Sequence, residues 1–156
     1  MASFNPGTGG TLKSTSIEAA FLECAEYVQD PETALNLNNV NVTYNSDALN
    51  ATINATIPVT STIGTGGAVT YSAVNALSDT FLPGGGDLGA THGYAALMEL
   101  AYLLQEAESG LTTPINNISV TINDENRTAT IAANMPITIG VNALGRPEII
   151  ADVYAV

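Results

Sequence analysis

Positive charge is the scarcest commodity in this chain. Only three residues are cations, Lys13, Arg127 and Arg146, against fifteen Asp and Glu, for a formal net charge of −12. A phosphate-binding surface needs clustered Lys and Arg, which excludes nucleic acid as a partner. An anionic membrane surface is disfavoured for the same reason, and the charge should keep the protein soluble and repel other acidic bodies. Cysteine is almost absent. Cys24 stands alone, so neither an internal disulfide nor a cysteine-based metal cluster can form. No apolar run approaches the roughly 20 residues of a membrane-spanning helix. No basic segment followed by an apolar one opens the chain as a leader would. A cytoplasmic protein is the expectation, with leaderless export left open. Charge of either sign is low, at 12%, while apolar residues reach 46%, which describes a folded domain that buries a core.

What the chain does contain, it contains twice. Asn38-Asn39-Val40-Asn41-Val42-Thr43-Tyr44-Asn45 returns as Asn116-Asn117-Ile118-Ser119-Val120-Thr121-Ile122-Asn123. Ala51 to Thr60 returns as Ala129 to Thr138, with Pro58 and Pro136 in equivalent places. The period is roughly 78 residues. Reading outward, Phe4-Asn5-Pro6-Gly7 is echoed by Phe81-Leu82-Pro83-Gly84, and Ala19, Ala20, Glu23, Ala25 and Gln29 by Ala95, Ala96, Glu99, Ala101 and Gln105. The expected domain is therefore two tandem repeats, 1–77 and 78–156, joined in one body.

Each repeat opens with an aromatic-Pro-Gly arm, expected to dock rather than wave free. A helix follows. Thr15 with Glu18 has the form of a capping box, and Ile17, Ala20, Phe21, Cys24 and Val28 form one apolar stripe with Glu18 and Glu26 off it. Asp30-Pro31 is expected to end that helix or bend the chain. The second helix is predicted over His92–Ser109, capped by Gly110. Glu99 is its only charge between Tyr94 and Leu104, so it should lie deeper than the first.

The period then switches to two. Val40, Val42 and Tyr44, then Ala51, Ile53, Ala55 and Ile57, alternate with polar residues, and the second repeat does the same. Asn45-Ser46-Asp47 and Asn123 to Asn126 are hairpin-turn chemistry. Proline at 58 and 136 argues for an edge, a bulge or a strand end. Third strands are expected at 68–74 and 148–154. The fold class is thus α+β: a duplicated arm-αβββ unit, antiparallel sheet with two packed helices, and a pseudo-two-fold between halves. Whether the halves share one sheet or pack as two stays open.

The motif-like features are weak as chemistry. Gly84-Gly85-Gly86-Asp87-Leu88-Gly89 before a helix resembles an anion cradle, but it lacks the Lys-Ser/Thr end of a phosphate loop. Cys24, His92 and Asp87 can be drawn as nucleophile, base and orienter, but Cys24 lies on an apolar stripe and His92 replaces Ser16 at a helix start. Glu23 and Glu99 could face one another across the pseudo-axis as paired carboxylates, or serve as capping groups. Asp124-Glu125 lacks the alternating oxygen ligands of a calcium loop.

The outward rows carry more weight. Thr52, Asn54 and Thr56, with Thr130 and Asn134 in the repeat, form a polar, nearly uncharged face without the lysines that guard exposed sheet. The leading expectation is a non-enzymatic structural or protein-interaction module that self-associates through a sheet edge or face, needing no cofactor or metal. The alternative is a small-ligand or carbohydrate binder using the cleft between repeats or the Thr/Asn face, with His92, Asp87, Glu99 and Glu23 as candidate ligand-binding residues. An enzyme stands third, resting on His92, Glu99 and Asp87. Specific function is expected where the copies differ: His92 for Ser16, Leu100 for Cys24, Tyr102 for Glu26.

Overall fold

Alternation along the strands decides the sheet. The computed structural model describes residues 4–37, 39–45, 47–67, 69–74, 81–82, 84–109, 118–123, 125–136, 138–141 and 147–148. In chain order they form α1 (Ile17–Ala34), β1 (Val40–Asn45), β2 (Asn50–Ile63), β3 (Val69–Ala73), α2 (Gly93–Ser109), β4 (Ile118–Asn123), β5 (Thr128–Pro136), β6 (Thr138–Val141) and β7 (Pro147–Glu148). The strands β1-β2-β5-β4 lie side by side in one antiparallel sheet, β3 also pairs with β2, and β6 pairs with β7 separately. Both halves of the chain therefore share a sheet, with β2 and β5 joined at its centre, Asn54 opposite Ala132. The third strand of the first half falls where expected; in the second half the described strand is Pro147–Glu148, and 149–154 lie outside the described residues.

One face of the sheet meets the helices. Ala51, Ile53, Ala55, Ile57 and Val59 of β2 and Ala129, Ile131, Ala133 and Met135 of β5 are buried against Phe21, Leu22 and Val28 of α1 and Leu97, Leu100 and Leu104 of α2. Each large apolar side chain so buried contributes about 1.5–3 kcal/mol of transfer free energy. Helix α1 lies over β1, α2 over β4, and the two helices pack against each other.

Three local expectations need correcting. The N-cap of α1 is Ser16, whose Oγ accepts from Ala19 N–H at 3.3 Å, rather than Thr15. Helix α1 also continues through Pro31 to Ala34. Its last turn is held from outside, because Glu32 accepts Val40 N–H at 2.7 Å and the Tyr94 hydroxyl, and Asn36 closes it at φ 58°. Third, α1 is the helix buried on more sides: Glu18 and Glu26, which lie off its apolar stripe, are both fully buried, with Tyr44 of β1 donating to Glu26. Apolar composition overstated the depth of α2, where Tyr102 and Glu106 reach solvent.

Pro58 marks a change of neighbour inside β2. Thr56 N–H donates to Asn39 O, Val59 N–H to Arg127 O, and Pro58 O accepts from Val74 N–H. Successive residues of an antiparallel strand address opposite edges, so β1 and then β3 occupy the same edge of β2. The N–H that proline lacks falls between their ends, where no partner is needed. Beyond that point β2 and β3 form a two-stranded ribbon, Val59 opposite Ala73 through to Ile63 opposite Val69.

Candidate functional site

The glycine arms engage each other. Thr8 N–H donates to Gly84 O, Thr11 N–H to Leu82 O and Asp87 N–H to Asn5 O. Asp87 in turn accepts Asn5 N–H at 2.8 Å through Oδ2. Gly7, at φ +77°, has Gly84 O only 2.0 Å from where a Cβ would sit, so two backbones cross where no side chain fits. Phe4 and Phe81 are buried beneath the crossing, and the Phe81 ring meets Tyr27 edge-on at 6.0 Å. The arms dock, as expected, with Asn5, Thr8, Thr11, Leu82 and Asp87 N–H taken up by the opposite arm and Gly7 N–H by Asn5 Oδ1 of its own.

Glu23 and Glu99 are each turned onto their own half. Glu23 accepts Lys13 N–H, Ser14 N–H and the Ser14 hydroxyl at 2.8–3.2 Å. Glu99 accepts Gly89 N–H and Ala90 N–H at 3.2–3.3 Å. They tie down the loops entering the two helices, which is the capping role and not that of carboxylates facing across an axis. Cys24 is fully buried with Sγ 3.8 Å from Gly93 O, while Asp87 is held by Asn5 and His92 Nδ1 by Ala95 N–H at 3.4 Å. The drawn triad is thus pinned to three different backbone partners. Among the described residues, no three His, Cys, Asp or Glu stand close enough to hold a metal ion.

Two surfaces remain. The first is the sheet face away from the helices. Asn54, Thr56, Thr130, Ala132 and Asn134 are exposed and Thr52 is half-buried. The rows cross the sheet in register: Thr56–Thr130–Thr121, Asn54–Ala132–Ser119 and Thr43–Thr52–Asn134. None of these residues is charged. From Ala48 to Ser78 the chain has no charged residue at all, and this stretch continues into the β2–β3 ribbon, where Ile63 is 78% and Val69 51% exposed.

The second surface is a cleft of about 390 Å³ between β3 of the first half and α2 of the second. Ala90, Ala95 and Met98 give it an apolar floor, and Tyr71, Ser72, His92, Glu99 and Tyr102 supply its polar groups. His92 and Glu99 are brought together here, whereas Glu23 and Asp87 are engaged elsewhere. Tyr71 and Ser72 had not been singled out; Tyr71 lies in the strand expected at 68–74, but nothing local to it indicates that it meets α2. His92 and Tyr102 are two of the positions at which the repeated text differs.

Compared with family models, curated proteins and solved structures, the chain matches none. Among the described residues no helix is long and apolar enough to cross a membrane.

Proposed function

We propose that this protein is a non-enzymatic structural or interaction module, a duplicated αβββ unit with halves 1–77 and 78–156 about a pseudo-two-fold, which self-associates through its open sheet face. The duplication is supported by register. Asn50 pairs with Pro136 and Pro58 with Thr128, and exchanging the halves turns one pair into the other. The hairpins correspond in the same way, Val40 opposite Ala55 and Ile118 opposite Ala133. So do the caps Ser16 and His92, the loop-binding Glu23 and Glu99, and the turn-forming Asn45 and Asn123.

The observation that carries self-association is an exposed, uncharged Thr/Asn face on a chain of net charge −12. Burying an unpaired charge costs several kcal/mol, so two acidic copies meet most cheaply where neither carries charge. Hydroxyl and amide groups both donate and accept, which makes such a face complementary to itself. A cationic partner would find nothing there to pair with. Light scattering over a wide concentration range tests this: mass should rise above the monomer, and Thr130→Lys should return it to monomer with an unchanged circular dichroism spectrum. A monomeric mass throughout would end the proposal. A second reading, a small-ligand or carbohydrate binder, is favoured by the cleft between β3 and α2.

A further inference from the structure

The cleft holds more chemistry than its volume. It is made jointly by the halves, β3 from one and α2 from the other, and a volume of about 390 Å³ falls at the small end of the range for small-molecule sites. Among the described residues no Lys or Arg lines it, and Glu99 contributes a carboxylate, so an anion finds no counter-charge in that lining.

Two of its polar groups are held in place. The Glu99 carboxylate accepts Gly89 N–H and Ala90 N–H, which fixes its position while leaving lone pairs for a ligand. His92 accepts Ala95 N–H at Nδ1, so in the neutral ring the proton sits on Nε2 and that nitrogen is a donor. The cleft therefore offers one fixed acceptor and one fixed donor. Tyr71 and Tyr102 add flat aromatic surface with a hydroxyl at the tip, and Tyr102 is 43% exposed. In the first half the positions aligned with His92 and Tyr102 are Ser16 and Glu26, the latter buried under Tyr44, so the combination occurs once in the aligned helices.

We infer that this cleft binds a neutral carbohydrate of one or two rings. Adjacent sugar hydroxyls each donate and accept, so one donates to the Glu99 carboxylate while its neighbour accepts from His92 Nε2–H. The C–H face of the ring lies against tyrosine, and the apolar floor of Ala90, Ala95 and Met98 excludes water beneath it. This inference rests on the second reading above and is independent of self-association.

The test is a ligand-observed NMR titration of the full chain with a panel of neutral mono- and disaccharides, alongside tetramethylammonium and inorganic phosphate. At least one neutral sugar should bind saturably. His92→Ser keeps a helix cap of the kind Ser16 provides, so the fold should persist, and it should weaken binding about fivefold, the loss of one hydrogen bond. Tyr102→Ala should weaken it by a similar factor. Saturable binding of tetramethylammonium or phosphate alone, sensitive to His92→Ser, would overturn the carbohydrate inference and leave a ligand site standing. Silence across the panel would overturn both, as would sugar binding that neither substitution moves.

Discussion

At the scale of single residues, the arm crossing makes the sharpest demand. Gly7 and Gly9 both have positive φ, +77° and +74°, but only Gly7 has a backbone oxygen within reach of a Cβ. Gly9→Ala should therefore cost about 1–2 kcal/mol for the left-handed conformation alone. Gly7→Ala should cost about 2–5 kcal/mol, because overpacking adds to that strain. Urea denaturation of the two variants separates the terms. Glu23 is a second such residue. It is buried and holds three donors of the loop before α1, so Glu23→Ala, which orphans them, should destabilise by about 2–4 kcal/mol in the same assay. Glu99, more exposed and with fewer donors, should cost less. The hairpin turns hold a residue-level surprise. Asparagine tolerates left-handed backbone, yet positive φ falls on Leu49 and Arg127 while the Asn45 and Asn123 side chains accept the turn N–H groups.

At the scale of elements, α1 behaves unlike an ordinary amphipathic helix. Its far end is pinned by polar groups from two other elements, Tyr94 of α2 and the Val40 N–H of β1, both on Glu32. Those contacts hold one further turn beyond Pro31, whose missing N–H would otherwise favour an earlier stop. Removing the hydroxyl donor with Tyr94→Phe leaves a buried carboxylate short of a partner and should cost about 1–3 kcal/mol. Amide exchange in residues 32–35 should quicken more than in the first turns of α1. The β2–β3 ribbon is open to solvent, with Ile63 and Val69 paired near its tip. A two-stranded ribbon is marginal by itself, and α2 packs against this one. Emptying the cleft side with Tyr71→Ala should therefore loosen the ribbon and weaken the sugar site together.

At the scale of the whole molecule, the halves are interdependent. The central pairing of β2 with β5, the α1–α2 packing, the arm crossing and the cleft each draw on both. Residues 1–77 or 78–156 expressed separately should show little helix or strand by circular dichroism, since each loses its partner strand and half its core. Charge acts at this scale too. With a net charge of −12, copies repel at long range, so association through an uncharged face should strengthen as salt rises. Weakening with salt would mean that charged groups make the contact.

Sequence alone determined what depends on local period and on composition. The strands of β1, β2, β4 and β5 were legible because apolar and polar residues alternate, and both helices because their apolar residues recur at helical spacing. A helix followed by a strand hairpin was legible in each half because that stretch of text recurs. Tertiary structure decided what depends on residues far apart in the chain. Glu18 and Glu26 lie off the apolar stripe, and only the cover supplied by other elements makes them buried. Pro31 looks like a stop until Tyr94 and Val40 hold the turn beyond it. His92 and Glu99 could be named as candidates, but their meeting with Tyr71 and Ser72 required β3 to cross onto the other half's helix. A one-dimensional period records which face a residue is on; it carries no record of what that face will meet.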